Sequence, residues 1–429
     1  MTNPEKPLEM QPDERLARRY RSERIFRACG LIAIGFALSA LVVLFGTTLF
    51  QASGVLTQPY LELDIAFDPA EFDPLGDGSE QSLAAGNYAK PLRKAIRSLL
   101  PEVKGRREKR ALNRLLSAGA EYDLRAFVAA HPDVIGTEQV FSVPLSEIAG
   151  LYLSGEVRAD VVEADRRISN RQIAWLDALV AQGRIEEKWN TRFLTDGDSR
   201  EPELAGVQGA IRGSILTLLV TFVLSFPVGL AAAIYLEEFA AQNRFTDLVE
   251  VNINNLAAVP SIVFGLLGLS VFLNVFGMPR SAPVVGGLVL ALMTLPTIII
   301  AGRAALSAVP PSIREAALGV GASPTQAVLH HVVPQALPGI LTGTIIGMSR
   351  ALGETAPLLM VGMVAFIVDL PTEPTDPSTV LPVQIYLWSE APERGFVEKA
   401  AAAIVVLLGF LIAMNAGAIW VRRRFETRS

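Results

Sequence analysis

One cysteine, Cys29, in 429 residues excludes an intrachain disulfide and any cysteine-rich metal site. Three histidines, two of them adjacent, do not supply a histidine metal site either, and the acidic positions Asp64, Asp68, Glu71, Asp73 and Asp77 lack the spacing of a calcium loop. No metal is therefore expected. Charge is sparse as well: 19% of the residues are charged, against about 25% in soluble domains. No basic stripe is interleaved with aromatics, so nucleic acid is not a partner. No glycine-rich phosphate loop is followed by Lys and Ser or Thr, so the chain itself is not expected to hydrolyse ATP. No catalytic residue and no bound cofactor are expected. A pair of inverted repeats, the mark of many secondary transporters, is missing too.

What the chain has is apolar length. It is 51% hydrophobic with a mean hydropathy of +0.37. A bilayer takes about 20 apolar residues to cross as a helix. Charge-free runs of that order cover 28–61, 213–236, 251–279, 281–302 and 400–421. A further run, 332–349, meets Arg350 and Glu354 and resumes through Ile367. The first run is too long, and has no small-residue cleavage site close behind it, for a cleaved signal peptide. The reading is an all-α polytopic membrane protein with six transmembrane helices at 27–51, 211–235, 251–277, 282–302, 340–367 and 399–420. Basic residues crowd both ends, in "RLARRYRSERIFR" within a tail 1–26 and in "VRRRFETR", whereas 369–398 is acidic. By the positive-inside rule both termini are cytoplasmic.

Between the first two spans lies a polar stretch, 52–205, expected outside the cytoplasm as an inserted α+β periplasmic domain. "LELDIAFDPAEF" admits a strand; "YAKPLRKAIRSLL", "EKRALNRLLSAG" and "YDLRAFVAAH" have helical spacing, and "RQIAWLDALVAQGRIEEK" is the clearest helix. The basic run "KGRREKR" (104–110) reads as a solvated helix start. The remainder, 206–424, is a transmembrane block in which Pro260, Pro296 and Pro357 are expected to kink the spans. Asn252, Asn254 and Asn255 stand at the inner end of the third span, suited either to capping it or to meeting a partner.

The inner loop 309–339, "VPPSIREAALGVGASPTQAVLHHVVPQALPG", has legible punctuation. Ser312 with Glu315 predicts a capping box and a helix from Ile313, stopped by Gly319 and Gly321. Ser323, Pro324 and Gln326 predict a second start, and Pro334 and Pro338 are expected to break the chain before the next span. Such short helices need something to pack against. Either the same chain's spans or a partner serves.

Arg350 and Glu354 lie four apart in an apolar segment, on one face of a helix. At the centre of a bilayer each charge costs roughly 2.5–3.5 kcal/mol by insertion scales. Two readings account for them: a structural pair fastening the helix to a neighbour, or an anion path. In a path the Arg fork would donate to an oxyanion and Glu354 would neutralise it when empty. The path reading is preferred.

Several of these stretches carry a family resemblance. Glu315-Ala316-Ala317 followed after three residues by Gly321 resembles the EAA loop of ABC importer permeases, ending at Pro334 but with His331 where the family has an aliphatic residue. "AAAIYLEEFA" (231–240), "NLAAVPSIVFGLLGL" (255–269) and "RALGETAPLL" (350–359) resemble the PstA-type permeases of phosphate-specific ABC importers. The resemblance covers about 206–424, and the region before it resembles the extra N-terminal part of a longer subgroup. It implies an inner-membrane permease, with Arg350, Glu354 and Thr355 on the substrate path and Glu315, Ala316, Ala317, Gly321 and Pro334 in the ATPase coupling loop. It also implies four partners: a second permease subunit forming a heterodimer, a dimeric cytoplasmic ATPase that hydrolyses the ATP, a periplasmic phosphate-binding protein, and inorganic phosphate. A permease for another oxyanion, such as sulfate or molybdate, is the alternative cargo. A membrane-anchored sensor is the alternative class, and it would need a cytoplasmic signalling domain that no segment is large enough to form.

Overall fold

The computed structural model describes residues 14–157, 162–364 and 366–425. The chain divides between Gln51 and Ala52 into two units. The first consists of most of one helix, α1 (Glu14–Ser53). The expected basic tail is thus not a separate segment from Glu14 onward but the opening turns of α1; residues 1–13 lie outside the described part. Its Arg, Leu and Glu residues are good helix formers, and Arg27 pairs with Glu23 one turn away at 2.5 Å, so the charged stretch extends the helix.

The second unit opens with the polar domain. Strand β1 (Thr57–Ala66) is followed by helices α2 (Ala89–Leu99), α3 (Arg106–Asn113) and α4 (Ala120–Ala130), strand β2 (Glu138–Pro144), helices α5 (Glu147–Leu153) and α6 (Asn170–Ala181), and strand β3 (Ile185–Trp189). The sheet is antiparallel in the order β2-β1-β3. Period-two alternation along β1 sends Leu61, Leu63 and Ile65 into the core and leaves Glu62 and Asp64 on the other face. The helices cover the buried face through Leu92, Ile96, Leu124, Val128, Leu176 and Leu179. Each such aliphatic side chain contributes about 1.5–3 kcal/mol by burial. One expectation changes here. The stretch predicted as helix through Lys188 is helix only to Ala181. Gly183, at φ +67°, turns the chain, and Ile185–Trp189 adds to the edge of β1.

Beyond the domain come α7 (Gln208–Ile234, with a π turn continuing to Phe239), α8 (Arg244–Ala257), α9 (Ser261–Leu267, with a π segment to Val275) and α10 (Pro283–Ser307). Then follow α11 (Pro311–Gly319), α12 (Pro324–Gly353), α13 (Ala356–Met360), α14 (Leu381–Ser389) and α15 (Gly395–Phe425). Among the described residues five helices are long and apolar enough to cross a membrane, and six if the bent pair α8 and α9 counts as one span. Close contacts set the register: Gly229 faces Ile298 and Gly302 faces Ala233, so α7 and α10 run parallel, while Gly339 and Gly343 face Ala305 and Ala301, so α12 runs antiparallel to α10.

Two spans and the first helix of the inner loop differ from expectation. The third span, expected as one helix over 251–277, bends by 101° between α8 and α9. Pro260 sits there in extended conformation; it carries no donor, and its ring keeps Val259 from continuing the helix. The fifth, expected at 340–367, begins much earlier and ends at Gly353. Pro334 and Pro338 do not break it. A π turn at Val328–Val332 widens the backbone just before Pro334, which occupies the next turn, and Pro338 lies inside the helix. The second coupling-loop helix is therefore the start of α12 itself. Finally, α11 begins at Pro311 with Pro310 at its cap, so Ser312 falls within the first turn and makes no capping bond. The box at Ser323 and Gln326 forms as expected.

Candidate functional site

The stretches singled out in the sequence gather into two clusters. At one end of the bundle, the π turn Tyr235–Phe239 closes α7 and presents Glu237 and Glu238. Arg303, near the end of α10, donates from Nε to Glu237 at 3.2 Å and from Nη2 reaches Glu250 of α8 at 2.8 Å. Arg314 of α11 lies against Glu238 and also donates to the backbone carbonyls of Val309 (2.8 Å) and Leu306 (3.0 Å). The hydrogen bonds that Arg314 donates to Glu238 push its pKa further above the ordinary value. Ala317 is buried and Ile313 packs against Ala233, Leu306 and Val309, so α11 lies down on the bundle with one face. Glu315 and Ala316 remain exposed, as do Leu318 and Val320, the latter at 86%. Gly321 takes φ +91° in the turn to Ser323, and Pro334 sits inside α12. Glu238 and Arg314 were not among the expected site residues. The residues are 76 apart, so only packing brings them together.

The second cluster is a break in the helices. Gly265 of α9 packs so closely on α13 that an added Cβ would come within 2.6 Å of Pro357 Cα and 2.9 Å of Met360 Cβ. The stretches 255–269 and 350–359 are thereby brought together. Immediately before α13, α12 ends: Glu354 is extended, and Thr355 opens α13 without a side-chain cap. Gly347 lies beside Thr297 and Ile298, so one turn further on Arg350 stands at the level of Thr294. Thr294 is about 16 Å from the start of α10 and about 20 Å from its end at 1.5 Å per residue, near the middle of the bundle. Arg350 Nε donates to Glu354 Oε1 at 3.4 Å; the Arg side chain is 54% exposed and the Glu 19%. Asn252, Asn254 and Asn255 lie within α8 on exposed positions and do not cap it; Asn243 does.

A third polar group escaped the sequence reading altogether. Lys399, at the start of the second turn of α15, is buried, donates to the carbonyl of Ala205 at 3.0 Å and lies over the Phe193 ring. Beside it Glu147 accepts from the Gly395 amide at 2.7 Å, and Asp198 accepts from Trp388 Nε1 at 3.1 Å. Phe193, Ala205 and Val207 share one apolar core with Trp388, Phe396 and Ala400. Burial pushes the carboxyls of Asp198 and Glu203 above the ordinary range. The polar domain and the last span are thus one packed body. No run of sequence signals this, because the partners lie some 190 residues apart.

Residues 225–428 match the family model described as binding-protein-dependent transport system inner membrane component, and residues 13–163 match one described as a domain of unknown function, DUF3333. The chain is 32% identical over 235 residues to the phosphate transport system permease protein PstA 1 of Mycobacterium tuberculosis, covering 54% of this chain and 76% of that protein. It is 32% identical over 169 residues to the "Probable ABC transporter permease protein YqgI" of Bacillus subtilis, covering 39% of this chain and 57% of that protein's length. A solved structure of the MetNI methionine ABC transporter in an inward-facing conformation aligns with 20% identity and a TM-score of 0.42, over 51% of this chain and 97% of that one.

Proposed function

The chain belongs to the binding-protein-dependent transport system inner membrane component family, the multi-pass permeases of ABC importers, and from that premise we propose that it is the permease subunit of an inorganic phosphate importer. It is a transport permease and not an enzyme; ATP hydrolysis belongs to a separate ATPase subunit. The identity to PstA 1 supports phosphate as the cargo.

One observation carries the reading of the path. A guanidinium that is half exposed on this chain stands at mid-depth in the bundle, where two helices interrupt each other. Facing hydrocarbon, it would cost roughly 2.5–3.5 kcal/mol. Its open side therefore faces protein or a water-filled path formed with a second permease subunit. Interrupted helices at mid-membrane commonly line such paths, because their freed backbone groups need polar surroundings. Arg350 offers a planar fork to a tetrahedral oxyanion, and Glu354 holds that fork when no anion is present. Thr355 lies next to them in the break. Glu354 competes with the anion and keeps binding weak enough for release.

At the bundle end, the exposed Glu315, Ala316 and Leu318 of α11, with Val320 just beyond it, form the surface for a dimeric ATPase on the cytoplasmic side, held in place by Arg314. A binding protein delivers phosphate at the opposite face, where the polar domain lies. The termini are cytoplasmic in this arrangement. Phosphate uptake by the reconstituted complex, challenged with arsenate and with sulfate, tests the cargo. Competition by arsenate alone supports phosphate. Competition by sulfate, with no phosphate uptake, replaces it with another oxyanion.

A further inference from the structure

A lateral groove runs between α7, α12 and α15, with a cavity of about 550 Å³. Its walls are apolar: Leu219 and Phe222 from α7, Ile345 and Met348 from α12, Phe410 and Met414 from α15. Along α15 it extends from Phe410 to Val421, which is about 16 Å at 1.5 Å per residue. That is half of the roughly 30 Å hydrocarbon core, the depth of one leaflet.

Immediately past Val421, the last lining residue on α15, comes Arg422. Arg422 turns inward and donates from Nη1 to Thr342 Oγ1 at 3.2 Å. Its Nε is buried and has no hydrogen-bond partner among the described residues. Arg423 and Arg424 are exposed, and Arg424 lies over the ring of Trp420, itself 64% exposed. Exposed tryptophan and arginine at the end of a span mark the level of lipid headgroups. Arginines at a helix end ordinarily serve orientation alone and extend into water. Arg422 does not: it is drawn inward onto Thr342, one residue beyond the last lining residue of a groove the length of one acyl chain.

From this geometry we infer that the groove is a site for an anionic glycerophospholipid, with one acyl chain against α7, α12 and α15 and the phosphate on Arg422. The inference is independent of the cargo and the charged pair. Arg422 supplies a fixed donor, and Arg423 and Arg424 add charge at the same level. Basic pockets between membrane helices recognise anionic headgroups in this manner. The apolar wall binds any acyl chain, so the preference for anionic over zwitterionic lipid resides in Arg422.

Native mass spectrometry of the purified full-length permease complex, exchanged into mixed phosphatidylglycerol and phosphatidylcholine, tests it. The wild type should retain phosphatidylglycerol in several-fold preference. Arg422→Gln should lose that preference while still carrying lipid, Arg423→Gln should keep it, and Ala413→Phe should lose lipid of both kinds by filling the groove. Should Arg422→Gln destabilise the complex, Arg422→Lys, which keeps the charge, should retain most of the preference. An unchanged preference in Arg422→Gln overturns the site. So does a photo-crosslinker at Ala418 that captures a protein helix and no lipid.

Discussion

Arg314 grips both carboxylate oxygens of Glu238, from Nε to Oε2 at 3.0 Å and from Nη2 to Oε1 at 2.5 Å, although 76 residues separate them. Glu238 is only 7% exposed at its side chain, so removing its partner strands a nearly buried charge. Arg314→Met should loosen α11 by about 1–3 kcal/mol. The permease should reach the membrane at normal level but recover less ATPase on purification. Arg314→Lys keeps the charge and loses the fork, and it should fall between. Full ATPase recovery with Arg314→Met would mean that α11 is held by its apolar face alone.

The turn after α11 makes a separable prediction. An added Cβ at Gly321 would touch nothing within 4 Å, yet its φ of +91° is a conformation that side-chain-bearing residues avoid. Gly321→Val should therefore act through the backbone, costing at least about 1–2 kcal/mol. Gly321→Asn should cost less, since Asn tolerates left-handed backbone. ATPase co-purification should rank glycine, asparagine, valine. Equal recovery across the three removes this turn from the docking surface.

At Gly265 the restriction is space. An alanine Cβ would meet Pro357 and Met360 at under 3 Å, both on α13, whose backbone cannot give way as a flexible side chain would. Gly265→Ala should cost about 1–3 kcal/mol by overpacking and shift α13 against the end of α12. Uptake should fall more than membrane abundance does. Gly353→Ala, where a Cβ meets nothing within 4 Å, is the matched control and should leave abundance unchanged.

These cases mark what could be read from the sequence. The long apolar helices and the capping box at Ser323 were legible, because hydrophobic length and cap chemistry are local. The apolar run 251–279 hid a 101° bend, since hydropathy is blind to direction and only Pro260 hinted at it. Ser312 and Glu315 had the spacing of a capping box, but Pro310 and Pro311 had already started the helix. Nothing along the chain announced that Arg314 meets Glu238, or that Lys399 meets Ala205, because those contacts exist only once distant segments are packed. Arg350 and Glu354 were visible as charges in an apolar run. That α12 stops beside them was not.

The joint between the polar domain and the last span carries a pH dependence. Burial raises the Asp198 carboxyl above its ordinary 3.8, so the folded protein holds a proton that the unfolded chain has released. The associated stability is fully present below 3.8 and is lost as pH rises through the elevated folded value. Asp198→Asn keeps an acceptor for Trp388 Nε1 and cannot ionise. Its unfolding midpoint in detergent should vary less than the wild type's across mildly acidic pH and should be higher at neutrality. Parallel curves for the two proteins would show that Asp198 does not titrate on unfolding.

The charged pair separates a substrate path from a structural fastening. Arg350→Gln leaves Glu354 opposing an incoming anion, and the repulsion is strong where little water screens it. Phosphate uptake should fall by orders of magnitude with abundance and ATPase recovery little changed, because more than half of the Arg side chain faces away from its own chain. Glu354→Gln leaves the guanidinium without its counter-ion, so the anion should enter but depart slowly, and uptake should drop less. A fastening pair behaves otherwise: each single variant is poorly inserted, and exchanging the two residues recovers both abundance and transport. The exchange places a carboxylate where the anion needs a fork, so a path residue cannot be rescued that way. Measuring membrane abundance beside labelled-phosphate uptake for both singles and the exchange decides the matter, and restored uptake in the exchanged variant removes Arg350 from the path.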